Sequence, residues 1–409
     1  MQQKVTGEAE VYNISCLIIY KYVRIFVTVL QGTFTAHSMS MLTWLIACGN
    51  KERRLNMEEL KAQPRNMTTL CYIEKDGEYL MLHRVLKKND VNKDKWIGIG
   101  GHFEYGESPE ECLLREVREE TGLTLLHYNF RGLITFISDD YQPEYMCLYT
   151  ADEFEGEMIS CNEGILEWVP KNKIRELNLW EGDKIFFRLL DENAPFFSLK
   201  LCYINNVLKE ACLDGRELEL FDILLPDMTP SGRTGERGTI HESGDWHATS
   251  HIWVVRRKSG LKFDVLLQKR SSRKDSFPGS YDISSAGHVN AGDTCLPTAL
   301  RELKEELGIT AQPEDLTFIG IHDAEYKGSF YNRTFHNCEH SAVYVYDSPV
   351  ADDSLSLQPE EVESVIWMDY DECLDRLKDG SLDHCIFLDE FLMLGNEYRK
   401  IIKAASIPV

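Results

Sequence analysis

Hydrophobic and polar positions follow a repeating order along most of the chain. From Thr68, the stretch TTLCYIEKDGEYLMLHRV holds two apolar runs around a Lys-Asp-Gly turn, which predicts a β-hairpin. The runs YNFRGLITFI and EYMCLYTADEF predict strands because they are rich in β-branched and aromatic residues, whereas EGDKIFFRLLDE has helical spacing. The first half therefore predicts several strands followed by a helix.

The second half repeats this order. HIWVVRRKSGLKFDVLLQKR again predicts strand, turn and strand, HSAVYVYD predicts another strand, and EFLMLGNEYRKIIKAA predicts a terminal helix. Strands interleaved with helices indicate an α/β fold with a mixed sheet in each half. A chain of 409 residues has room for two such domains, which we place at 67–214 and 215–409. The junction is expected near Gly215, where ACLDGRELELFDILLPDMTPSGRTGERGT is rich in glycine, proline and charge.

Residues 1–66 do not share this pattern, and we expect them to be an N-terminal extension, either a dispensable leader or a misassigned start. Residues 25–49 carry enough apolar side chains to span a bilayer, but polar residues interrupt them and basic residues flank both ends. A secretory signal is disfavoured because acidic residues precede a late apolar run. We therefore expect a cytoplasmic protein without a membrane role, folded from about Met67 onward.

Composition narrows the class of ligand. The net charge of −23 argues against nucleic-acid binding, because that affinity comes largely from Lys and Arg neutralising phosphates. A polyanionic ligand would need a divalent cation to bridge it to so acidic a protein. The 12 cysteines contain no Cys-x-x-Cys pair and are expected to be free thiols.

An acidic helix is predicted after Glu107. Ser108 and Pro109 start it as N-cap and first helical residue, and Gly122 is placed to end it in a left-handed conformation. Its glutamates at i, i+3 and i+4 share one face, where like charges repel; they are Glu116, Glu119 and Glu120. A Mg²⁺ ion would relieve that repulsion and bind substrate phosphates, and the alternative is a solvated acidic face.

The spacing around this helix resembles a known family. The pattern contains nine specified positions over 23 residues: Gly101, Glu107, Arg115, Glu116, Val117, Glu119, Glu120, Gly122 and Leu123. They resemble the Nudix box, the loop-helix-loop of hydrolases that act on nucleoside diphosphates linked to another moiety. The resemblance implies α/β/α sandwich domains, a Mg²⁺ cofactor with Mn²⁺ as an alternative, and nucleotide or other diphosphate substrates. It also implies that the three helix glutamates and the Gly101 carbonyl bind the metal, with Glu107 assisting and Arg115 orienting the acids.

The first half is further similar to MutT-type 8-oxo-dGTP diphosphatases from about Thr68 to Asp214, through KWIGIGGHFEYGESPEECLLREVREETGL and CNEGILEWVP. That resemblance implies hydrolysis of an oxidised purine triphosphate to monophosphate and pyrophosphate. It places the purine near Trp96 and offers Glu163 or Glu167 as a further metal ligand or base. A core aromatic and two surface acids are the alternative interpretations.

The same spacing recurs later with one substitution. The second box contains Gly287, Asp293, Arg301, Glu302, Glu305 and Glu306. Asp293 stands where the first box has Glu107, and its reach is shorter by about 1.5 Å, one carbon–carbon bond. All three helix glutamates remain, so the sequence predicts a second metal-binding helix, with Gly287 in the role of Gly101.

From about Glu219 to its end, the chain resembles the Nudix branch related to isopentenyl-diphosphate isomerase. The isomerase has a cysteine before its Gly-His pair, where this chain has Ala286, which can neither donate nor accept a proton. Its metal ligands correspond to His241, His247, His288 and Glu339, with Asn337 replacing a second acid. These differences disfavour an isomerase and favour a hydrolase of another diphosphate metabolite. The alternative is a module that binds a diphosphate without cleaving it.

Overall fold

The computed structural model describes residues 66–406, except 88–89, 140, 275, 331–332 and the side chains of 333 and 334. The N-terminal extension, with the apolar run at 25–49, lies outside the described residues. None of the described helices combines the length and the hydropathy needed to cross a membrane.

The first half forms a nine-stranded mixed sheet. Its elements are β1 (Met67–Lys75), β2 (Glu78–His83), β3 (Trp96–Ile97), α1 (Pro109–Thr121), β4 (Thr124–Ser138), β5 (Glu144–Glu155), β6 (Ile165–Pro170), α2 (Glu181–Asp191), β7 (Phe197–Ile204), β8 (Val207–Leu213) and β9 (Arg216–Glu217). The strands lie in the order β3-β2-β1-β5-β4-β7-β8-β9, with β6 paired to β2. The predicted Asp76-Gly77 turn joins β1 to β2, and both residues have positive φ.

The second half forms another nine-stranded mixed sheet. Its elements are β10 (Leu220–Leu224), β11 (Pro230–Glu236), α3 (Arg237–Ser243), β12 (Trp246–Arg257), β13 (Phe263–Arg270), β14 (Tyr281–Asp282), β15 (Ser285–His288), α4 (Cys295–Leu307), β16 (Leu316–Phe330), β17 (Arg333–Tyr346), β18 (Val362–Asp369), α5 (Tyr370–Asp379) and α6 (Leu388–Ala405). In this sheet β12 pairs with strands on both sides, parallel to β17 and antiparallel to β13 and β15.

Helices cover both faces of each sheet. In the first half, α1 buries Leu113 and Val117 on one face while α2 buries Phe186 on the other. In the second half, α4 packs on one face through Leu303, and α5 and α6 share an apolar cluster with the opposite face. Each half is therefore an α/β/α sandwich with its acidic helix in an outer layer.

The expected junction contains strands instead of a long loop. Only Leu218 and Glu219 separate the last strand of the first sheet from the first strand of the second. Leu220 is buried in the apolar cluster of α2, and the Thr234 hydroxyl donates to the Leu208 carbonyl oxygen at 2.5 Å. The described residues of both halves accordingly belong to one compact unit.

Candidate functional site

The first acidic helix begins and ends where its sequence predicts. The Ser108 hydroxyl accepts a hydrogen bond from the Glu111 amide at 3.2 Å, and the Glu111 carboxylate accepts one from the Ser108 amide at 2.8 Å. Gly122 ends the helix with φ of 77°. This capping fixes which face of α1 turns toward the loop before it.

Two glutamates of α1 contact the loop that precedes the helix. Glu120 is buried, and its Oε2 accepts a hydrogen bond from the Gly100 amide at 3.1 Å. Burial raises the pKa of Glu120 to about 8. Glu116 lies against Gly101, where an added Cβ would come within 2.5 Å of the carboxylate carbon. The Gly101 carbonyl accepts hydrogen bonds from the Thr69 amide at 2.9 Å and from the Cys112 thiol at 3.6 Å, so its second lone pair faces only a weak donor.

Arg115 connects the remaining acids. Its guanidinium donates to both Glu107 oxygens, at 2.6 and 2.9 Å, and to Glu116 at 2.7 Å. It also lies 3.4 Å from Glu119 Oε2 and donates to the His102 carbonyl at 3.0 Å. The hydrogen bonds from Arg115 lower the pKa of Glu107 to about 2. Glu107, Arg115, Glu116 and Glu119 are thus brought together in one hydrogen-bonded cluster.

The second acidic helix makes the equivalent contacts. The Glu306 carboxylate accepts a hydrogen bond from the Ala286 amide at 3.1 Å, and a Cβ at Gly287 would lie 2.0 Å from Glu302 Oε1. Burial raises the pKa of Glu302 to about 7 and that of Glu306 to about 8. Arg301 lies 2.7 Å from Glu302 and 2.9 Å from Glu305.

The two helices differ at the substituted position. The Asp293 side chain is exposed, and no hydrogen bond to Arg301 is found for it among the described residues. Among the described acids, Glu302 and Glu305 pair with Arg301, whereas Arg115 pairs with three acids. The shorter aspartate leaves Arg301 without an ion pair to the loop, where it keeps a hydrogen bond of 3.5 Å to the His288 carbonyl.

The first-half substrate candidates lie in different surroundings. Glu163 pairs with Arg84 and, at 2.8 Å, with Lys87, and its charge contributes to the raised pKa of Glu120. Glu167 is exposed on β6, opposite Met81. The Trp96 ring stacks on His83 with a centroid distance of 4.4 Å. Of these candidates, Glu163 is the one whose negative charge acts on a glutamate of α1, Glu120.

Three histidines that the resemblance to the isomerase offers as metal ligands lie close together in the second half. They come from α3, β12 and β15 and meet an acid from β17, with all ligand atoms within 4.8 Å of one another: His241, His247, His288 and Glu339. Burial lowers the pKa of each imidazole, that of His241 to about 2. The three Nε2 atoms are buried without a hydrogen-bond partner in the described part of the chain.

Sequence reasoning missed a buried acid in the first half. Asp183 lies in the first turn of α2, where burial raises its pKa to about 7 although the charge of Lys95 opposes the shift. Lys95 Nζ lies 4.9 Å from the centroid of the Trp180 ring. Lys95 and Trp180 line a cavity of about 450 Å³ together with Asp90, Val91, Lys93, Tyr141 and Asn206. The available signal was an aspartate on the apolar stripe of a helix, three residues before Phe186.

Comparisons with known proteins match both halves. The model of the NUDIX domain matches residues 64–190 and 246–389. An uncharacterized Nudix hydrolase of Clostridium acetobutylicum is 38% identical over 178 residues, which are 43% of this chain and 82% of that protein. The oxidized purine nucleoside triphosphate hydrolase of Danio rerio is 29% identical over 150 residues, 36% of this chain and 94% of that protein.

A solved MutT protein from Bacillus halodurans is 28% identical with a TM-score of 0.33, covering 36% of this chain and 97% of its own. The family match falls in both sandwiches, and each match contains one acidic helix that ends at a left-handed glycine and buries one glutamate. The chain therefore belongs to the Nudix hydrolase family and carries two Nudix domains in tandem.

Proposed function

We propose that both Nudix domains are working pyrophosphohydrolase centres that use Mg²⁺, with Mn²⁺ as an alternative. The observation that carries this proposal is the repeated contact of two helix glutamates with the loop before the helix. The amides of Gly100 and Ala286 each donate to a glutamate, and Gly101 and Gly287 each leave room for another. Such an equivalence is expected if both loops hold their acids for the same chemistry.

The acids fit a divalent cation. Burial raises the pKa values of Glu120, Glu302 and Glu306, which means that their negative charges lack sufficient compensation from the protein. Glu116, Glu119 and Glu120 would hold the ion in the first domain, and Glu302, Glu305 and Glu306 in the second. The ion would neutralise the pyrophosphate and polarise a water. The protein's own part is positioning: Arg115 and Arg301 hold the acidic side chains in place.

For the first domain, we propose a nucleoside triphosphate with an oxidised purine as the substrate. The cavity beside Trp180 contains an aromatic face and two lysines, which suit a base and its phosphates. Asp183 is not among the side chains that line this cavity, but its charge interacts with that of Lys95, which is. A carboxyl group with a pKa near 7 can donate or accept a hydrogen bond at a purine edge. The name of the Danio rerio relative supports the same class.

A direct test compares substrates and variants of the full chain. Wild type should release pyrophosphate from 8-oxo-dGTP faster than from dGTP, and Glu119→Gln should abolish that release because a metal-binding charge is lost. Asp183→Asn should reduce the preference between the two nucleotides while pyrophosphate release persists. Full activity of Glu119→Gln would refute the assignment of this centre.

For the second domain, we propose hydrolysis of a different diphosphate metabolite. The buried imidazoles of His241, His247 and His288, with Glu339, would hold a further divalent cation beside the acidic helix. The Ala286 amide donates to Glu306, and the Ala286 side chain has no ionisable proton, which disfavours isomerase chemistry at this position. The exposed Asp293 favours the alternative, a domain that binds a diphosphate without cleaving it.

A panel of sugar nucleotides, ADP-ribose, coenzyme A and isoprenoid diphosphates separates these two functions. A catalytic second domain predicts at least one product that persists in Glu119→Gln and disappears in Glu305→Gln. A binding domain predicts that Glu305→Gln weakens ligand binding, measured by calorimetry, while every hydrolytic activity of the panel stays unchanged.

A further inference from the structure

A second group of metal-ligand side chains lies on the long hairpin of β16 and β17, outside the sites described above. It consists of Glu325 on β16 and His336 and Cys338 on β17, with their ligand atoms within 4.8 Å of one another. We call it the hairpin triad. Cys338 is buried, His336 is half-buried, and the carboxylate of Glu325 is half exposed. The hairpin triad therefore combines one buried thiol with a carboxylate that solvent can reach.

The strand register sets these three side chains on one face. Glu325 and Cys338 are directly opposite each other in the antiparallel ladder, and His336 is two residues before Cys338. Because side chains alternate along a strand, Glu339 points to the other face, where it meets His247 and His288. The hairpin triad is thus separated from the histidine cluster by the thickness of β17.

The distances within the triad suit a metal ion with tetrahedral coordination. His336 Nε2 lies 2.9 Å from Glu325 Oε1 and 3.4 Å from Cys338 Sγ. With zinc bonds of about 2.3 Å to sulfur and about 2.0 Å to nitrogen or oxygen, tetrahedral geometry puts nitrogen about 3.3 Å from oxygen and about 3.5 Å from sulfur. One imidazole nitrogen therefore lies between two groups that would share a cation with it at nearly the present separations.

The imidazole is also held in a fixed orientation. His336 packs against Gly244, the left-handed residue after α3, so closely that a Cβ there would lie 2.0 Å from Nδ1. This contact turns Nε2 toward the carboxylate and the thiol. Lys327 Nζ lies 2.7 Å from the same Glu325 oxygen and supplies the positive charge that a bound ion would replace.

We propose that Glu325, His336 and Cys338 form a binding site for a thiophilic divalent transition metal ion, of which zinc is the best match. Thiolate and imidazole ligands select such ions over Mg²⁺, so this site is chemically distinct from the carboxylates of the Nudix helices. Three protein ligands leave the fourth position open on the exposed side, where a water or an exogenous ligand would complete the tetrahedron.

Cobalt titration of the metal-free full chain tests the proposal, because a thiolate ligand gives Co²⁺ a charge-transfer absorption that histidine and carboxylate ligands do not. The histidine cluster contains no cysteine, so the band cannot come from that cluster, and the cysteine variants assign it to one thiol. Because the acidic helices and the histidine cluster are also proposed to bind divalent cations, we expect the band to rise until one thiolate-bound Co²⁺ is present per chain, to be displaced by Zn²⁺ and to vanish in Cys338→Ser. Cys212→Ser, which removes a partly exposed thiol outside the triad, should keep it.

Two variants at exposed positions complete the test without disturbing the core. Glu325→Gln should weaken Co²⁺ binding about tenfold or more through loss of a ligand charge, and Lys327→Met should tighten it severalfold by removing a competing cation. Absence of the band in wild type, its survival in Cys338→Ser, or unchanged affinity in both exposed variants would each overturn the proposal.

Discussion

At the residue scale, the boxes of the two Nudix domains differ at one acid. Glu107 is held by two hydrogen bonds from Arg115, whereas Asp293 is exposed and its arginine pairs only with helix glutamates. A single missing methylene therefore changes how the arginine of the box is held, although the helix that carries it keeps all three glutamates.

This difference predicts unequal effects of matched substitutions. Glu107→Gln removes a charge-assisted pair and should reduce activity of the first domain by about tenfold or more, since such bonds contribute about 1.5–3 kcal/mol. Asp293→Asn should change the rate of the second domain by less than about twofold. Steady-state kinetics with one substrate for each domain measures both, and equal losses would contradict the structural distinction.

The glycines that begin the two boxes are a second residue-scale feature. Gly101→Ala and Gly287→Ala would each push a Cβ into the carboxylate of Glu116 or Glu302, and that flexible end would move. We expect loss of metal affinity and activity in the altered domain with little change in thermal stability. Gly106→Ala is the control, because it has open space around it and only its φ of +83° is strained. It should lower stability and spare metal affinity.

At the element scale, a buried glutamate of α6, Glu390, binds side chains of β12. The Glu390 carboxylate lies 2.8 Å from His251 Nδ1 and accepts a hydrogen bond from Trp253 at 2.9 Å. Burial lowers the pKa of His251, but the charge and hydrogen bond of Glu390 outweigh it and raise the pKa to about 9. The last helix is thus attached to the central strand by an ion pair as well as by apolar contacts.

The raised pKa of His251 predicts a pH-dependent stability. Its ion-pair contribution should be fully present below pH 6.5, the ordinary value, and should be lost as pH rises through about 9. His251→Gln should therefore destabilise the second domain by on the order of 2 kcal/mol near pH 6 and by much less above pH 9. Denaturant unfolding across this range measures the difference. His127→Gln, at an exposed ion pair with Asp152, is the control and should show little effect; a pH-independent deficit in His251→Gln would contradict the assignment.

At the scale of the whole molecule, charged contacts join the two sandwiches. Arg175 pairs with Glu242 at 2.6 Å, and Arg188 pairs with Glu236 at 3.2 Å. Glu236 caps α3, the helix that supplies His241 to the histidine cluster. The contact between the domains is therefore adjacent to a proposed metal site of the second domain.

We expect the two domains to unfold together. Scanning calorimetry of the full chain should show one main transition, and Arg175→Gln with Arg188→Gln should split or broaden it, because each pair contributes on the order of 1 kcal/mol to the contact. Lys173→Gln, at an exposed pair within the first domain, should leave the transition single. Two separate transitions already present in the wild type would contradict the coupling.

Much of this organisation could be predicted from sequence because it depends on local spacing. The capping residues Ser108 and Gly122 fix α1, two apolar runs around a tight turn predict β1 and β2, and the i, i+3, i+4 rule places the glutamates on one face. The second helix was predicted by the same spacing. Local rules of this kind act within one or two turns, which a single sequence displays directly.

The tertiary structure decided what residues distant in sequence do together. His241, His247, His288 and Glu339 meet because β12 pairs with both β15 and β17, and no local spacing contains that pairing. Asp183, Glu390 and the hairpin triad were missed for the same reason, since burial and cross-strand register define their environments. The sequence by itself determined the family, the two boxes and their acidic faces. Folding determined which further side chains share a site, because strand pairing and helix packing bring together residues as far apart as His251 and Glu390, which are separated by 139 positions.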